Sequence, residues 1–366
     1  MSSGEPYKYK TGFRIGVDSE RVVFRVAVAG SVLSYIAVIF NVSVFLLMCR
    51  KRLFSPCTII MQGLALADCF TALTSYCLEP LYQSLYFDLY TQNTLVYPYC
   101  ILYVNLSQLV DSFHLLSLML TACLGVQRVI AIKFPIWTRH YMTKSKAVVC
   151  CLVCLVITLS VCIPRHLALV FEKYLYGQCI VTYRNVDLIK YTAITYQFIH
   201  AALLVLLSLV MIICTFYISL KLLANRFRGR QSSTSVLVER KSAMMIIIVL
   251  VIFLIAEVPQ LFINIAVTRK YFDGSYLESV FEYSVDAVMD RRNIWAITLA
   301  HHTTYFSEIF PYDYYVDSQE RFDFFLLVIE GMKMFTLIGC ISNFIIYISI
   351  SKKFRREIYE IFICRK

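Results

Sequence analysis

The sequence predicts an all-α integral membrane protein, a seven-transmembrane helix bundle followed by a short amphipathic C-terminal helix. Three observations carry this expectation. Of the 366 residues, 59% are hydrophobic and only 16% charged, whereas a soluble domain carries about 25% charged residues to coat its surface. The apolar residues fall into seven blocks, each long enough to cross a bilayer, which takes about 20 residues of helix. Lys and Arg gather in short clusters between the blocks, so the net charge of +11 reads as membrane topology and not as a nucleic-acid footprint.

Residues 1–22 are polar and contain no signal-peptide core, so the first span is expected to start insertion. Residues 23–351 hold the spans, expected from Val26 to Met48, Cys57 to Leu78, Tyr99 to Val126, Ala147 to Pro164, Tyr191 to Leu220, Ser242 to Val267 and Phe324 to Ser351. Each has to be helical, because lipid offers a backbone amide no partner outside its own segment. Buried helices of a soluble α-protein would not come seven in a row. Alternate connections collect Arg50, Lys51 and Arg52, then Arg128, Lys133, Arg139, Lys144 and Lys146, then Lys221, Arg226, Arg228, Arg230, Arg240 and Lys241, and finally Lys352, Lys353, Arg355 and Arg356. The positive-inside rule makes that side cytoplasmic and leaves the N-terminus outside, in a multi-pass protein expected at the plasma membrane. In residues 352–366, Phe354, Ile358, Ile361 and Phe362 share one helical face above the basic residues, with Cys364 either placed for a lipid anchor or left as a free thiol.

Most of the fourteen cysteines, Cys123, Cys150, Cys151, Cys154 and Cys214 among them, lie in or beside spans and read as small apolar fillers. Cys100 and Cys179 lie in outward regions, where an oxidising exterior favours a disulfide that would pin the second outer loop over the bundle mouth. Ionisable groups inside lipid are costly and mark function by default. Asp68, with Ser117 and Asn343 at comparable depth, reads as a polar pocket able to hold Na+ or waters, or as a hydrogen-bond network between helices. Towards the cytoplasm, Arg128 ends the third span and Glu239 opens the sixth, a pairing suited to a latch between helices. Towards the outside lie Glu79, Asp111, His114, Glu257, Glu330 and Lys333, of which Glu330 and Lys333 are spaced to pair with each other. Glu257 sits just before Pro259, whose ring bends a helix, so a charge there suits a ligand-sensing hinge. The adjacent His301 and His302 lack further ligands, and no metal centre is expected.

Taken in order, Asn41, Leu64-Ala-Leu-Ala-Asp68, Gln127-Arg128-Val129, Pro259 and Asn343-Phe-Ile-Ile-Tyr347 followed by Lys352-Lys-Phe-Arg-Arg356 resemble the rhodopsin-like G-protein-coupled receptors. The wording is closest to the invertebrate FMRFamide and myosuppressin receptors and the nematode serpentine class w receptors. Glu257-Val-Pro259-Gln260, His114-Leu-Leu-Ser117 and Ser342-Asn343-Phe344 carry that finer likeness. The resemblance implies that Arg128, Glu239, Pro259 and Tyr347 serve coupling and switching, that a heterotrimeric G protein is the inner partner, and that no bond is made or broken.

The chain also departs from that pattern. Gln127 replaces the usual acid beside the Arg, Val129 replaces Tyr, and residues 268–323 stand where a short outer loop is expected. That stretch reads as a solvated or partly helical cap, or as non-coding sequence retained in the gene model. A transporter would need a charged relay or inverted repeats along the path, and an intramembrane enzyme a catalytic pair; neither pattern is present in the sequence. The acidic, aromatic outer half, with Glu79, Asp111 and Glu257, favours an amidated cationic peptide, with a small chemosensory molecule as the alternative ligand. Membrane lipid is the remaining partner.

Overall fold

The computed structural model describes residues 17–50, 55–78, 80–81, 97–173, 179–184, 188, 191, 195–227, 244, 247–252, 254–255, 318–350 and 352–362. The elements are α1 (Val17–Met48), α2 (Pro56–Ser75), α3 (Tyr99–Lys133), α4 (Pro135–Tyr141), α5 (Lys144–Leu167), β1 (Leu169–Lys173), β2 (Cys179–Tyr183), α6 (Tyr196–Phe227), α7 (Ser318–Ile350) and α8 (Lys352–Phe362). Among the described residues, six helices are long and apolar enough to cross a membrane: α1, α2, α3, α5, α6 and α7. The expected sixth span is described only at Met244, 247–252, 254 and 255, all helical. Val249 and Leu250 there are fully buried.

Local chemistry sets several helix starts. Ser55 caps α2 in a reciprocal box: Thr58 N donates to Ser55 Oγ at 3.3 Å, Ser55 N donates to Thr58 Oγ1 at 2.6 Å, and Pro56 occupies the first turn. Two amides that the helix leaves unbonded thereby find partners, and the proline lacks an amide where none is needed. Thr143 caps α5 by accepting from Lys146 N at 3.4 Å. At the other end of the chain, Arg355 Nη1 donates to the carbonyls of Ile348 (3.0 Å) and Ser349, a basic group on the exposed C-terminal carbonyls of α7.

Helices α1, α2 and α7 pack together, α2 lies against α3 and α5, and α3 runs between α2, α5 and α6. The main core consists of aliphatic residues such as Leu64, Leu118, Leu120, Leu124 and Met211, and a second cluster of Ala37, Ala72, Tyr76, Leu337 and Cys340 joins α1, α2 and α7. Gly30 permits that second contact, since a Cβ there would stand 2.8 Å from the Tyr76 ring. Large apolar side chains such as Ile39, Leu46, Ile213 and Phe216 face outward, as they should where the solvent is lipid. The amphipathic α8 tucks Phe354 beside Phe344 and Tyr347, leaves Arg355 and Arg356 exposed, and ties buried Glu357 to Arg50 at 3.0 Å.

Several boundaries differ from expectation. Helix α1 starts at Val17, inside the polar tail, and α7 starts at Ser318, inside the outer loop expected over 268–323. Helix α5 runs through Pro164 to Leu167, because a proline so near the end removes a single backbone bond and the last turn can still form. After it, β1 and β2 pair antiparallel from Leu169 opposite Tyr183 to Lys173 opposite Cys179. Val170, Phe171, Ile180, Val181, Thr182 and Tyr183 are β-formers in a stretch where hydropathy only marked a loop.

Candidate functional site

Polar side chains gather at three levels of the bundle. In the middle, Asp68 of α2 is fully buried. Ser117 of α3 donates its hydroxyl to Asp68 Oδ1 at 2.5 Å, and Asn343 of α7 donates Nδ2 to Oδ2 at 2.7 Å. One carboxylate thus joins three helices, with Asn343 and Asp68 lying 275 residues apart in sequence. Asn41 of α1 extends the junction by donating Nδ2 to Cys340 O on α7 at 3.2 Å. The carbonyl oxygens of the Asn41 and Asn343 amides are buried and take no hydrogen bond among the described residues.

At one end of the bundle, Asp111 of α3 meets Arg165 of α5, with Nη1 to Oδ2 at 2.6 Å. The same nitrogen donates to Tyr196 Oη on α6 at 3.1 Å, and the guanidinium lies over the Tyr196 ring at 4.8 Å. His200 stacks on Tyr196, ring centroids 5.6 Å apart, and Ser112 Oγ lies 3.5 Å from His166 Nε2. His114 is buried one turn below Asp111. Arg165 is 13% exposed and Asp111 40%, so the buried partner is the cation. Lys333 of α7 places its Nζ over the Tyr76 ring at 5.5 Å.

At the opposite end, Arg128 Nη2 lies 3.8 Å from Cys57 Sγ. Gln127 and Tyr347 are buried, and Gln127 Oε1 and Tyr347 Oη take no hydrogen bond among the described residues. Phe134, just before the short helix α4, and Ile136, Trp137 and Tyr141 on it lie at the surface, Ile136 at 87% exposure. With Lys133 and His140 these residues line an open hollow.

The structure therefore brings Asp68, Ser117 and Asn343 together, and places Asp111 with a cation that spans ending at Pro164 had excluded. Arg165, Tyr196, His166 and His200 were missed. Their signal was Arg165-His166 following a proline that the helix passes through. Glu79, Glu239, Glu257 and Pro259 lie outside the described residues, as do the side chains of Glu330, Cys100 and Cys179. Cys123, Cys150 and Cys154, expected as separate fillers, converge on one point of the α3–α5 seam.

Comparison with protein families matches residues 40–288 to the 7 transmembrane receptor (rhodopsin family) model. No curated protein matches. The matched segment contains Asp68, Ser117, Arg128 and the Asp111–Arg165 pair, and it stops before α7, which supplies Asn343 to the same junction. With six apolar helices of spanning length and a family match over more than half its length, the chain belongs to the rhodopsin family of seven-transmembrane receptors, multi-pass membrane proteins that bind a ligand and signal through G proteins.

Proposed function

We propose that this receptor stands in the plasma membrane with its N-terminus outside, binds an amidated neuropeptide of the FMRFamide or myosuppressin kind, and activates a heterotrimeric G protein from its basic inner face. The observation that carries the ligand reading is the Asp111 cluster. Arg165 uses the Oδ2 atom of a carboxylate that stays 40% exposed, while Arg165 keeps Tyr196 as a second partner. An incoming guanidinium can therefore share the exposed side of the Asp111 carboxylate while Arg165 keeps its own contact. Glu79 and Glu257 are the further acids of the same outer half. A disulfide between Cys100 and Cys179 fits this reading, since each cysteine stands at the start of an element beside the mouth, α3 and β2.

The coupling face is assigned to Arg128, α4 and the basic helix ends. Its exposed Ile136 and Trp137 between Lys133 and Lys144 present an apolar knob in a positive rim, suited to a protein partner. Gln127 and Tyr347 hold buried polar atoms without partners among the described residues. Each such atom costs about 1–3 kcal/mol, which favours any rearrangement that supplies one. Arg128 and Glu239 are assigned to the latch and Pro259 to the hinge.

The Asp68 pocket is assigned to Na+. Two carboxylate oxygens, the Ser117 hydroxyl and the Asn343 carbonyl, which has no partner among the described residues, form an all-oxygen donor set for a small hard cation.

The test is a calcium and cyclic-nucleotide screen of the expressed receptor against amidated peptides and small chemosensory molecules. An Arg-containing peptide should activate it, and Glu257→Gln should weaken that peptide by about 2 to 5 kcal/mol while sparing a neutral analogue. Arg128→Ala should reach the surface and fail to activate G protein. Activation by small molecules alone would overturn the peptide reading.

A further inference from the structure

Three thiols from two helices share one small volume of the bundle. Cys123 on α3 and Cys150 and Cys154 on α5 have their sulfur atoms all within 4.8 Å of one another. Of these, Cys123 and Cys154 stand 3.7 Å apart. The arrangement follows from helical periodicity, since positions four apart on α5 present both thiols to the same face of α3. The next residues along the seam continue it: Thr158, four further on α5, donates to the Met119 thioether, four before Cys123, at 3.5 Å. Met119, Cys123, Cys150 and Cys154 therefore line one continuous strip of sulfur. Cys151, the neighbour in sequence, faces the other way, against Gly63 of α2.

We propose that Cys123, Cys150 and Cys154 form a binding site for a soft monovalent cation, Cu(I), that links α3 to α5. A metal–thiolate bond of about 2.3 Å sets trigonal sulfurs ~4 Å apart, and the three thiols already stand at that scale. Among the described residues no His, Asp or Glu joins the group, so the donor set is three sulfurs, which disfavours Mg(II) and Ca(II) and matches trigonal Cu(I), whereas structural Zn(II) takes four ligands. Each thiol that ligates the ion gives up its proton, so binding releases protons and tightens as the pH rises. Cys154 is buried, while Cys123 and Cys150 are half-buried. Cys150 lies in the second turn of α5, near the end that starts at Lys144. In the orientation proposed above that end is cytoplasmic, so a cytosolic Cu(I)–thiol complex can hand over the ion by ligand exchange with no redox step. A disulfide across the pair would instead need a two-electron oxidant in a reducing compartment.

The test uses the full chain, purified in nanodiscs, reduced, and titrated with Cu(I) buffered by bathocuproine disulfonate. The wild type should retain one Cu(I), with X-ray absorption showing sulfur as the sole neighbour. Cys150→Ser and Cys123→Ser should weaken binding by at least about tenfold, while Cys214→Ser, buried on α6 away from the group, should not. Retention of the same copper by the variants, or no retention by the wild type, overturns the site. A second measurement avoids variants: Cu(I) should shield Cys123 and Cys150 from alkylation, read by mass spectrometry, and leave exposed Cys49 labelled as before. Equal labelling of Cys123 and Cys150 with and without Cu(I) likewise overturns it.

Discussion

Asp68 and Asp111 are carboxylates carried by adjoining helices of one bundle, and their surroundings are opposite in kind. Asp68 is fully buried and accepts from a hydroxyl and an amide, neither of which carries charge. Asp111 is partly exposed and is met by a guanidinium, itself braced by a tyrosine hydroxyl and ring. The first cluster is assembled from α2, α3 and α7, and the second from α3, α5 and α6. Helix α3 belongs to both, with Ser117 and Asp111 six positions apart. A carboxylate with neutral partners leaves its charge to be matched by something that binds; one paired within the protein does not. The middle cluster is accordingly read as a cation pocket, and the outer one as a ligand contact whose charge is already balanced before the ligand arrives.

The largest expected effect comes from breaking the charged pair. Asp111→Asn keeps the shape and leaves Arg165, the more buried partner, without its carboxylate. Removing one member of a buried pair costs roughly 3–5 kcal/mol, and the partial exposure of Asp111 puts the expectation near the low end. Thermal unfolding of the solubilised receptor should show a clearly lowered midpoint. The double substitution Asp111→Leu with Arg165→Met should recover most of the loss, because an apolar pair strands no charge. A midpoint for Asp111→Asn equal to wild type would show that the pair does not hold α3 to α5.

The two clusters were unequally legible in the sequence, for physical reasons. Asp68, Ser117 and Asn343 stand in long apolar runs at matching depth, and a buried carboxylate there calls for partners across helices, so depth along the span was enough to group them. The Asp111 partner was hidden by Pro164. A proline normally ends a helix, yet here only the last turn follows it, so Arg165 stays on the helix and points into the bundle. The hairpin β1–β2 was hidden as well, since span counting treats everything between spans as loop. The three-thiol group lay beyond sequence reading because Cys123 and Cys150 belong to different helices, and only the packing of α3 against α5 gives their relative rotation. Helix α8 was legible down to Phe354, since a short amphipathic segment shows its period directly, but the tie between Glu357 and Arg50 connects positions 307 apart in sequence.

A smaller effect is expected at the amide that links α7 to the middle cluster. Asn343→Ala removes the donor to Asp68 Oδ2 and leaves that oxygen buried. Hydrogen bonds between membrane helices contribute about 0.6 kcal/mol on average and up to about 1.7, so the midpoint should fall by less than for Asp111→Asn. A loss larger than that of Asp111→Asn would reverse the ranking of the two clusters and make the neutral junction the main fastener of the bundle.

The smallest effect on stability, and the sharpest on ion response, is expected for Asp68→Asn. The substituted amide keeps one oxygen to accept from Ser117. Its new N–H group faces Asn343, whose own carbonyl has no partner among the described residues; rotating the Asn343 amide by half a turn brings that carbonyl round to accept. The substituted amide's N–H then has an acceptor and only the Asn343 amide donor gives up the one it had, a loss of about one hydrogen bond, so the midpoint measured in choline chloride should stay within about 1 kcal/mol of wild type. In sodium chloride the two proteins should part. A ligand that binds only the folded state raises its stability by RT ln(1 + [L]/Kd), about 2.7 kcal/mol when the ion is at a hundred times its Kd. The wild type should gain stability as Na+ replaces choline at constant ionic strength, and Asp68→Asn should gain none. The same gain in both proteins would show that sodium acts elsewhere, and would leave Asp68 as a helix junction and nothing more.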